Sequence, residues 1–425
     1  MSDGAGSDRS RESRQLARRL GVGDAVVIGL GSMVGAGVFA VWAPAARSAG
    51  SALLIGLLIA AVVAYCNATS SAQLAAVYPV SGGTYVYGRE RLGPGWGFAA
   101  GWSFVVGKTA SCAAMALTFA TYAVPDPGWP RRLVALAAVL ALAGVNYRGV
   151  TRTARLTRIL VACTLVLLAT VVAILLTSSA SGSPPAVWSE DTSPYGVLQA
   201  AGLLFFAFAG YARIATMGEE VRDPSRTIPR AISLALVIAV GIYLVVGLAL
   251  LSVLGSSRIA DAAAPLAEAV DAAGAAWAVP VVRVGAALAS LGALLALIAG
   301  IGRTSLAMAR NGDLPRWLAA IHPRFHVPHH AELALAAVVG VLVLTTDLRG
   351  AIGFSSFGVL LYYAIANAAA FTQPADQRRW PRALNVLGLV GCVTLAVTLP
   401  LSSAVTCATL LAVALVTRSL LHRRV

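Results

Sequence analysis

The chain has 425 residues, of which 58% are hydrophobic and only 12% charged. A soluble chain carries about 25% charged residues, so this composition excludes an ordinary soluble domain. The formal net charge of +14 invites a nucleic-acid reading, but the basic residues sit in short segments between long apolar runs, as in a polytopic helical membrane protein.

Twelve candidate spans follow in chain order. The first five are Ala25–Ala46, Ala52–Ala75, Gly97–Val124, Leu133–Val145 and Leu156–Leu176. The next five are Tyr195–Met217, Ala231–Leu254, Val279–Ala309, Leu333–Thr345 and Phe354–Phe371, and two more lie near Leu384–Thr398 and Ser402–Thr417. Residues 1–20 are polar and basic and read as a disordered tail before an uncleaved first helix; residues 21–425 read as a single transmembrane domain. Repeat one covers about 25–177 and repeat two about 195–372, with extra helices at about 384–418. An odd number of spans per repeat would invert the second against the first. The longest irregular stretches are Ser178–Pro194 and Gly255–Pro280.

Arginines cluster before span 1, between spans 4 and 5, after span 6, between spans 10 and 11 and at the chain end. An even number of spans puts all of these on one side, so the positive-inside rule places both termini in the cytoplasm of a cell whose inner (plasma) membrane holds the protein. Cys66, Cys112, Cys163, Cys392 and Cys407 all fall within spans and read as small apolar fillers.

Two glycine-interrupted segments stand in matching places of the two halves. The first is Gly29–Phe39 and the second centres on Phe205–Tyr211, including Gly210. A helix broken in mid-membrane exposes backbone groups that lipid cannot satisfy, so such breaks face protein or a watery cavity. Paired breaks in two repeats point to a transporter's substrate site. Around Gly35, Ala36 and Gly37 free amides at the start of a half-helix near Val38 suit a carboxylate. The carbonyls of Met33, Phe206 and Ala209 suit an ammonium group. Such a pair of subsites describes a receptor for an α-amino acid; close helix packing is the bland alternative.

The only lysine, Lys108, stands against 31 arginines and falls roughly 18 Å into span 3, near the midplane. A charge there is costly and marks a functional position by default, in coupling or substrate contact. A structural ammonium satisfied by unwound carbonyls is the other reading. Ser111, Cys112 and Met115 share its helical face. Arg213, after the second break, is the other deep charge; it could recognise a carboxylate, cap the broken helix or reach water. Arg303 lies nearer the cytoplasm and would pair with loop carbonyls or a carboxylate. Loop residues His322, His326, His329 and His330 lack a supporting cysteine or carboxylate pattern, so no metal is expected. No cofactor motif and no nucleophile–base–acid set is present, so an enzyme is not expected.

The stretch Gly29–Phe39 resembles the first-span signature of the amino acid–polyamine–organocation permeases. Ala72–Tyr85, continuing into Gly93–Phe98, resembles the same superfamily, as do Gly218–Arg230 and Ala307–Pro315. The resemblance implies a five-plus-five inverted repeat with discontinuous helices 1 and 6 and alternating access around a central site. It implies that Ala36 and Gly37 contact a substrate carboxylate, with Met33, Phe206 and Ala209 near the amino group and Phe206 or Phe208 as an aromatic gate. Many proton-coupled relatives carry a lysine in span 5 that stands in for sodium. Here Thr164 holds that position, Gly302-Arg303 replaces Ser-Arg in span 8, and Ala212 replaces a common acidic residue. Lys108 is therefore the candidate for the missing cation, with a proton as coupling ion. The expected function is secondary transport of an amino acid, by proton coupling or exchange. Rivals are a polyamine or organic amine transporter of the same fold, a membrane amino acid sensor, and a pore.

Overall fold

The computed structural model describes residues 20–79, 82–148, 153–178, 192–215, 221–325 and 327–422. The proposed tail at residues 1–19, most of the Ser178–Pro194 stretch, Gly218–Glu220 and His326 lie outside the described residues. The described residues are almost entirely helical and contain no strand, only an isolated parallel bridge between Leu20 and Val221 in which the Arg222 N–H donates to the Leu20 carbonyl at 2.9 Å.

The helices in chain order are α1 (Val22–Val34), α2 (Gly37–Ala40), α3 (Trp42–Ala49), α4 (Leu53–Val77), α5 (Thr84–Leu92) and α6 (Pro94–Ala123). Next come α7 (Trp129–Tyr147), α8 (Thr153–Thr177), α9 (Pro194–Phe208), α10 (Ala212–Ala215), α11 (Pro224–Asp261) and α12 (Pro265–Ala272). The chain ends with α13 (Val279–Arg310), α14 (His329–Thr345), α15 (Leu348–Phe371), α16 (Arg382–Thr398) and α17 (Leu401–His422). Among the described residues eight helical spans are long and apolar enough to cross a membrane, and three shorter apolar helices accompany them. The protein is a polytopic, all-helical membrane protein.

Proline and capping side chains set where these helices begin. Pro94 follows Gly93, whose φ of 105° no side chain would favour, and this turn reverses α5 into α6. The Ser193 hydroxyl accepts the Gly196 N–H at 2.9 Å ahead of α9, and Asp347 caps α15 through the Gly350 N–H at 2.9 Å. The stretch Gly255–Pro280 is not the irregular loop its composition suggested. Helix α11 continues through a kink at Gly255 (φ 72°) to Asp261, and α12 starts at Pro265. Its alanines keep the helix going, while glycine permits the bend.

The broken segments lie at the centre. Helix α1 packs on α11 and α8, α9 packs on α3 and α4, and α6 is held between α13 and α15. Helices α16 and α17 cover the outside: 78% of the most apolar window of α6 is buried against 17% in α17. Of the cysteines, Cys66, Cys112, Cys392 and Cys407 are buried as expected of fillers, but Cys163 is exposed. It lies on an exposed face of α8.

Candidate functional site

Both breaks exist as structure. Helix α1 ends at Val34, and Gly35 turns the chain with ψ −107° before α2 begins at Gly37. Val41 keeps right-handed helical dihedrals, so α2 and α3 run on almost as one half-helix. On the other side α9 ends at Phe208, a single 3-10 turn covers Ala209–Tyr211, and α10 follows. Met33, Ala36, Phe206, Phe208 and Ala209 are buried.

Glycine lets the two breaks touch. A Cβ at Gly210 would stand 2.3 Å from the Ser32 carbonyl carbon and oxygen, and one at Gly37 would stand 2.9 Å from the Ala207 Cα. Gly35 is tight for a different reason, its Cβ position falling 2.8 Å from the Gly31 carbonyl of its own helix and 3.1 Å from the Ala293 Cβ of α13. Backbone therefore meets backbone where the two broken helices cross, as only glycine permits at Gly37 and Gly210.

The three carbonyls singled out for an ammonium group all have internal donors. The Tyr243 hydroxyl of α11 lies 2.8 Å from the Met33 carbonyl and 3.0 Å from that of Ala207. The Phe206 carbonyl accepts the Ala209 N–H at the C-terminal cap of α9. The Ala209 carbonyl accepts Lys108 Nζ at 3.3 Å and the Tyr363 hydroxyl at 3.4 Å. Lys108 is thus brought to the second break, from mid-length on α6. Gly107 makes this possible, because α6 and α15 approach until its Cβ position would be 3.1 Å from the Gly358 Cα. One turn on, Ser111 Oγ lies 2.6 Å from Ser355 Oγ across the same seam.

Aromatic rings close around these atoms. Phe208 meets Tyr243 edge to face with centroids 5.0 Å apart, and Tyr211 stacks on Tyr363 at 4.9 Å. Phe205 approaches Tyr363 at 5.9 Å. Tyr243 and Tyr363 were not among the residues singled out from the sequence. Each is a phenol in an aliphatic span, and a buried phenol needs a partner for its hydroxyl, which is the one signal that could have flagged them.

Thr164 lies elsewhere. It is buried and lines a cavity of about 30 Å³ beside the first break, with Gly31, Gly35, Val161, Ala289 and Gly292 among the walls. That space admits a water but not an amino acid. Arg213 lies in α10 and is partly exposed, past the break rather than within its buried shell. Arg303 is exposed and acts electrostatically on the carboxylate of buried Glu332, which packs beside Gly302. His322 and His329 meet Tyr147 and each other edge to face, the two imidazole centroids 5.3 Å apart.

A bundle of apolar helices, two of them broken in mid-span and crossing at the breaks, defines a multi-pass membrane protein. The profile of the amino acid permease family matches residues 20–418, so the chain belongs to that family. An uncharacterized transporter of Mycobacterium tuberculosis is 61% identical over 391 residues, covering 92% of this chain and 88% of the relative. The branched-chain amino acid permease BcaP of Bacillus subtilis is 27% identical over 403 residues, covering 88% and 85%. Human cationic amino acid transporter 4 is 29% identical over 381 residues, covering 82% of this chain and 58% of the relative. Membership of this family makes amino acid transport across a membrane the activity class of the chain.

Proposed function

We propose that the protein is a secondary active transporter that carries an amino acid across the cytoplasmic membrane by alternating access, with the crossing of the two breaks as its substrate site. Twelve spans arranged as a five-plus-five inverted repeat with two added helices, and both termini in the cytoplasm, complete the reading. One observation carries it: at the crossing, the backbone carbonyls of Met33 and Ala209 are within reach of side-chain donors from neighbouring helices. A lone pair that a phenol or an ammonium can reach from outside the helix is one that a substrate ammonium can reach too. The start of the half-helix at Gly37 supplies amides of opposite polarity for the carboxylate.

The breaks are in contact here, so substrate entering the site has to part Gly37 from Ala207 and Gly210 from Ser32. Parting and closing from alternate sides is what alternating access requires. The surrounding Phe206, Phe208 and Ala207 are apolar, and Lys108 brings a positive charge. Both features favour a neutral amino acid over a polyamine or a cationic side chain, which the ammonium would repel. Energy comes from a proton gradient or from exchange, since the sequence carries no ATP-binding motif, and with Thr164 uncharged in the cavity beside the first break the candidate cation for coupling is Lys108.

Uptake by the purified protein in liposomes, with each of the twenty amino acids labelled and a pH gradient imposed, tests the reading. Saturable accumulation of at least one neutral amino acid supports it. Binding without accumulation would instead identify a sensor, and absence of both would overturn the site.

A further inference from the structure

The ammonium of Lys108 is already seated on the carbonyl that a substrate ammonium would need. The Ala209 carbonyl oxygen accepts from Lys108 Nζ at 3.3 Å and from the Tyr363 hydroxyl at 3.4 Å. A carbonyl has two lone pairs, so a third donor can bind only if one of these leaves. Tyr363 is locked from behind, stacked on Tyr211 and set edge to face against Phe205 and Tyr362. Lys108 is on a flexible four-carbon stem. It is the donor able to withdraw.

We propose that Lys108 is a tethered occupant of the ammonium subsite, so that an amino acid can seat there only when this lysine releases its proton and swings away. The inference rests on the reading of the two breaks as the substrate site. Once displaced, a charged Lys108 would have no compensation: among the described residues no carboxylate lies within ion-pair distance of it. Two ammonium groups competing for one buried carbonyl also repel each other where no water screens them. The displaced lysine escapes both penalties by breaking one N–H bond, keeping the electron pair on Nζ and passing the proton to water on whichever side is open. The titratable groups around it are the Cys112 thiol one turn along α6 and the phenols of Tyr363, Tyr211 and Tyr362. None of these is a carboxylate that could hold the lysine charged after it moves.

If proton and amino acid exclude each other at this site, whichever way it opens, each crossing of substrate is answered by a proton returning on Lys108. The coupling then has the sign of exchange rather than co-transport. A fixed structural lysine would give no proton release, and a lysine that receives the substrate carboxylate would take a proton up or leave the count unchanged.

The experiment counts protons on binding with the full-length protein in lipid nanodiscs. The amino acid giving the largest thermal shift among the twenty is titrated calorimetrically, in two buffers of different ionisation enthalpy near pH 7. About one proton released per amino acid bound is expected for the native protein, with affinity falling as pH falls. Lys108→Met should bind with no proton release and with affinity independent of pH, and Lys108→Arg, which keeps its charge, should bind at least tenfold more weakly. Native protein that binds without releasing a proton overturns the inference while leaving the substrate site in place. Release undiminished in Lys108→Met overturns it as well. Native protein that binds none of the twenty overturns the site reading and this inference together. The native count decides the matter even where a variant fails to fold.

Discussion

Gly210 rests against Ser32 so closely that any side chain there would run into backbone. The nearest atoms to its Cβ position are the Ser32 carbonyl at 2.3 Å and the Met33 nitrogen at 2.6 Å. Neither is the far end of a flexible side chain, so the clash can be relieved only by separating the two breaks. Gly210→Ala is therefore expected to destabilise the protein by about 1–3 kcal/mol and to reduce uptake strongly. Gly241→Ala is the control, since nothing lies within 4 Å of its Cβ position. Thermal unfolding of the two variants side by side checks this; equal melting temperatures would show the crossing to be looser than described.

Tyr243 serves two acceptors with one hydroxyl proton, the carbonyls of Met33 and Ala207. Tyr243→Phe keeps the ring against Phe208 and removes only the hydroxyl. Stability should drop by about 1–3 kcal/mol, because buried acceptors lose their donor. If the Met33 carbonyl is a receptor for the substrate ammonium, added amino acid should also raise the melting temperature of this variant more than that of the native protein. Matching melting temperatures and matching ligand shifts would argue against both statements.

How much of this was legible follows from where the information sits. The breaks at Gly35 and Ala209–Tyr211 could be located because glycine clusters are local, and the depth of Lys108 followed from counting residues along its span. The donors that meet the breaks could not be located. Tyr243 reaches Met33 across 210 residues, and Tyr363 reaches Ala209 across 154, separations that leave no periodic trace. The two readings kept open for Lys108 converge in one geometry, because the carbonyl that satisfies it belongs to the candidate site itself. Composition misled at Gly255–Pro280, where alanine-rich sequence between prolines forms helix, and at Cys163, where a small residue is exposed.

Asp313 gathers three partners beyond the end of α13. Its carboxylate accepts from Arg418 at 3.0 Å and from the Tyr85 hydroxyl at 2.8 Å, with Arg89 at 3.8 Å, and its side chain is 2% exposed. Arg418 also lies over the Phe98 ring, 5.1 Å from its centroid. The last helix, which buries little else, is fastened by this group. Asp313→Asn should cost about 1–3 kcal/mol and speed proteolysis at the end of α17. Arg418→Gln should cost less, because the carboxylate keeps Tyr85. A digestion pattern unchanged in both variants would show that α17 is held by its apolar face alone.

At the opposite end of the broken first span, Arg349 joins three helices. Its guanidinium donates to the Ser48 hydroxyl at 3.1 Å and to Gln199 Oε1 at 2.9 Å, and Gln199 Nε2 donates to the Thr398 carbonyl at 3.0 Å. Arg349→Gln should loosen this clamp. A cysteine placed by Ser48→Cys, with Cys163→Ala as background, is expected to react with a membrane-impermeant thiol reagent severalfold faster in the Arg349→Gln protein. Equal labelling rates would show that the three helices stay together without the guanidinium.

The isolated bridge between Leu20 and Val221 ties the lead into the first broken helix to the lead into α11. The same α11 carries Tyr243, so the chain grips α1 twice, once at its foot and once at its break. A tilt of α1 must drag its neighbour along or tear both stitches, which makes the pair a yoke rather than two independent levers.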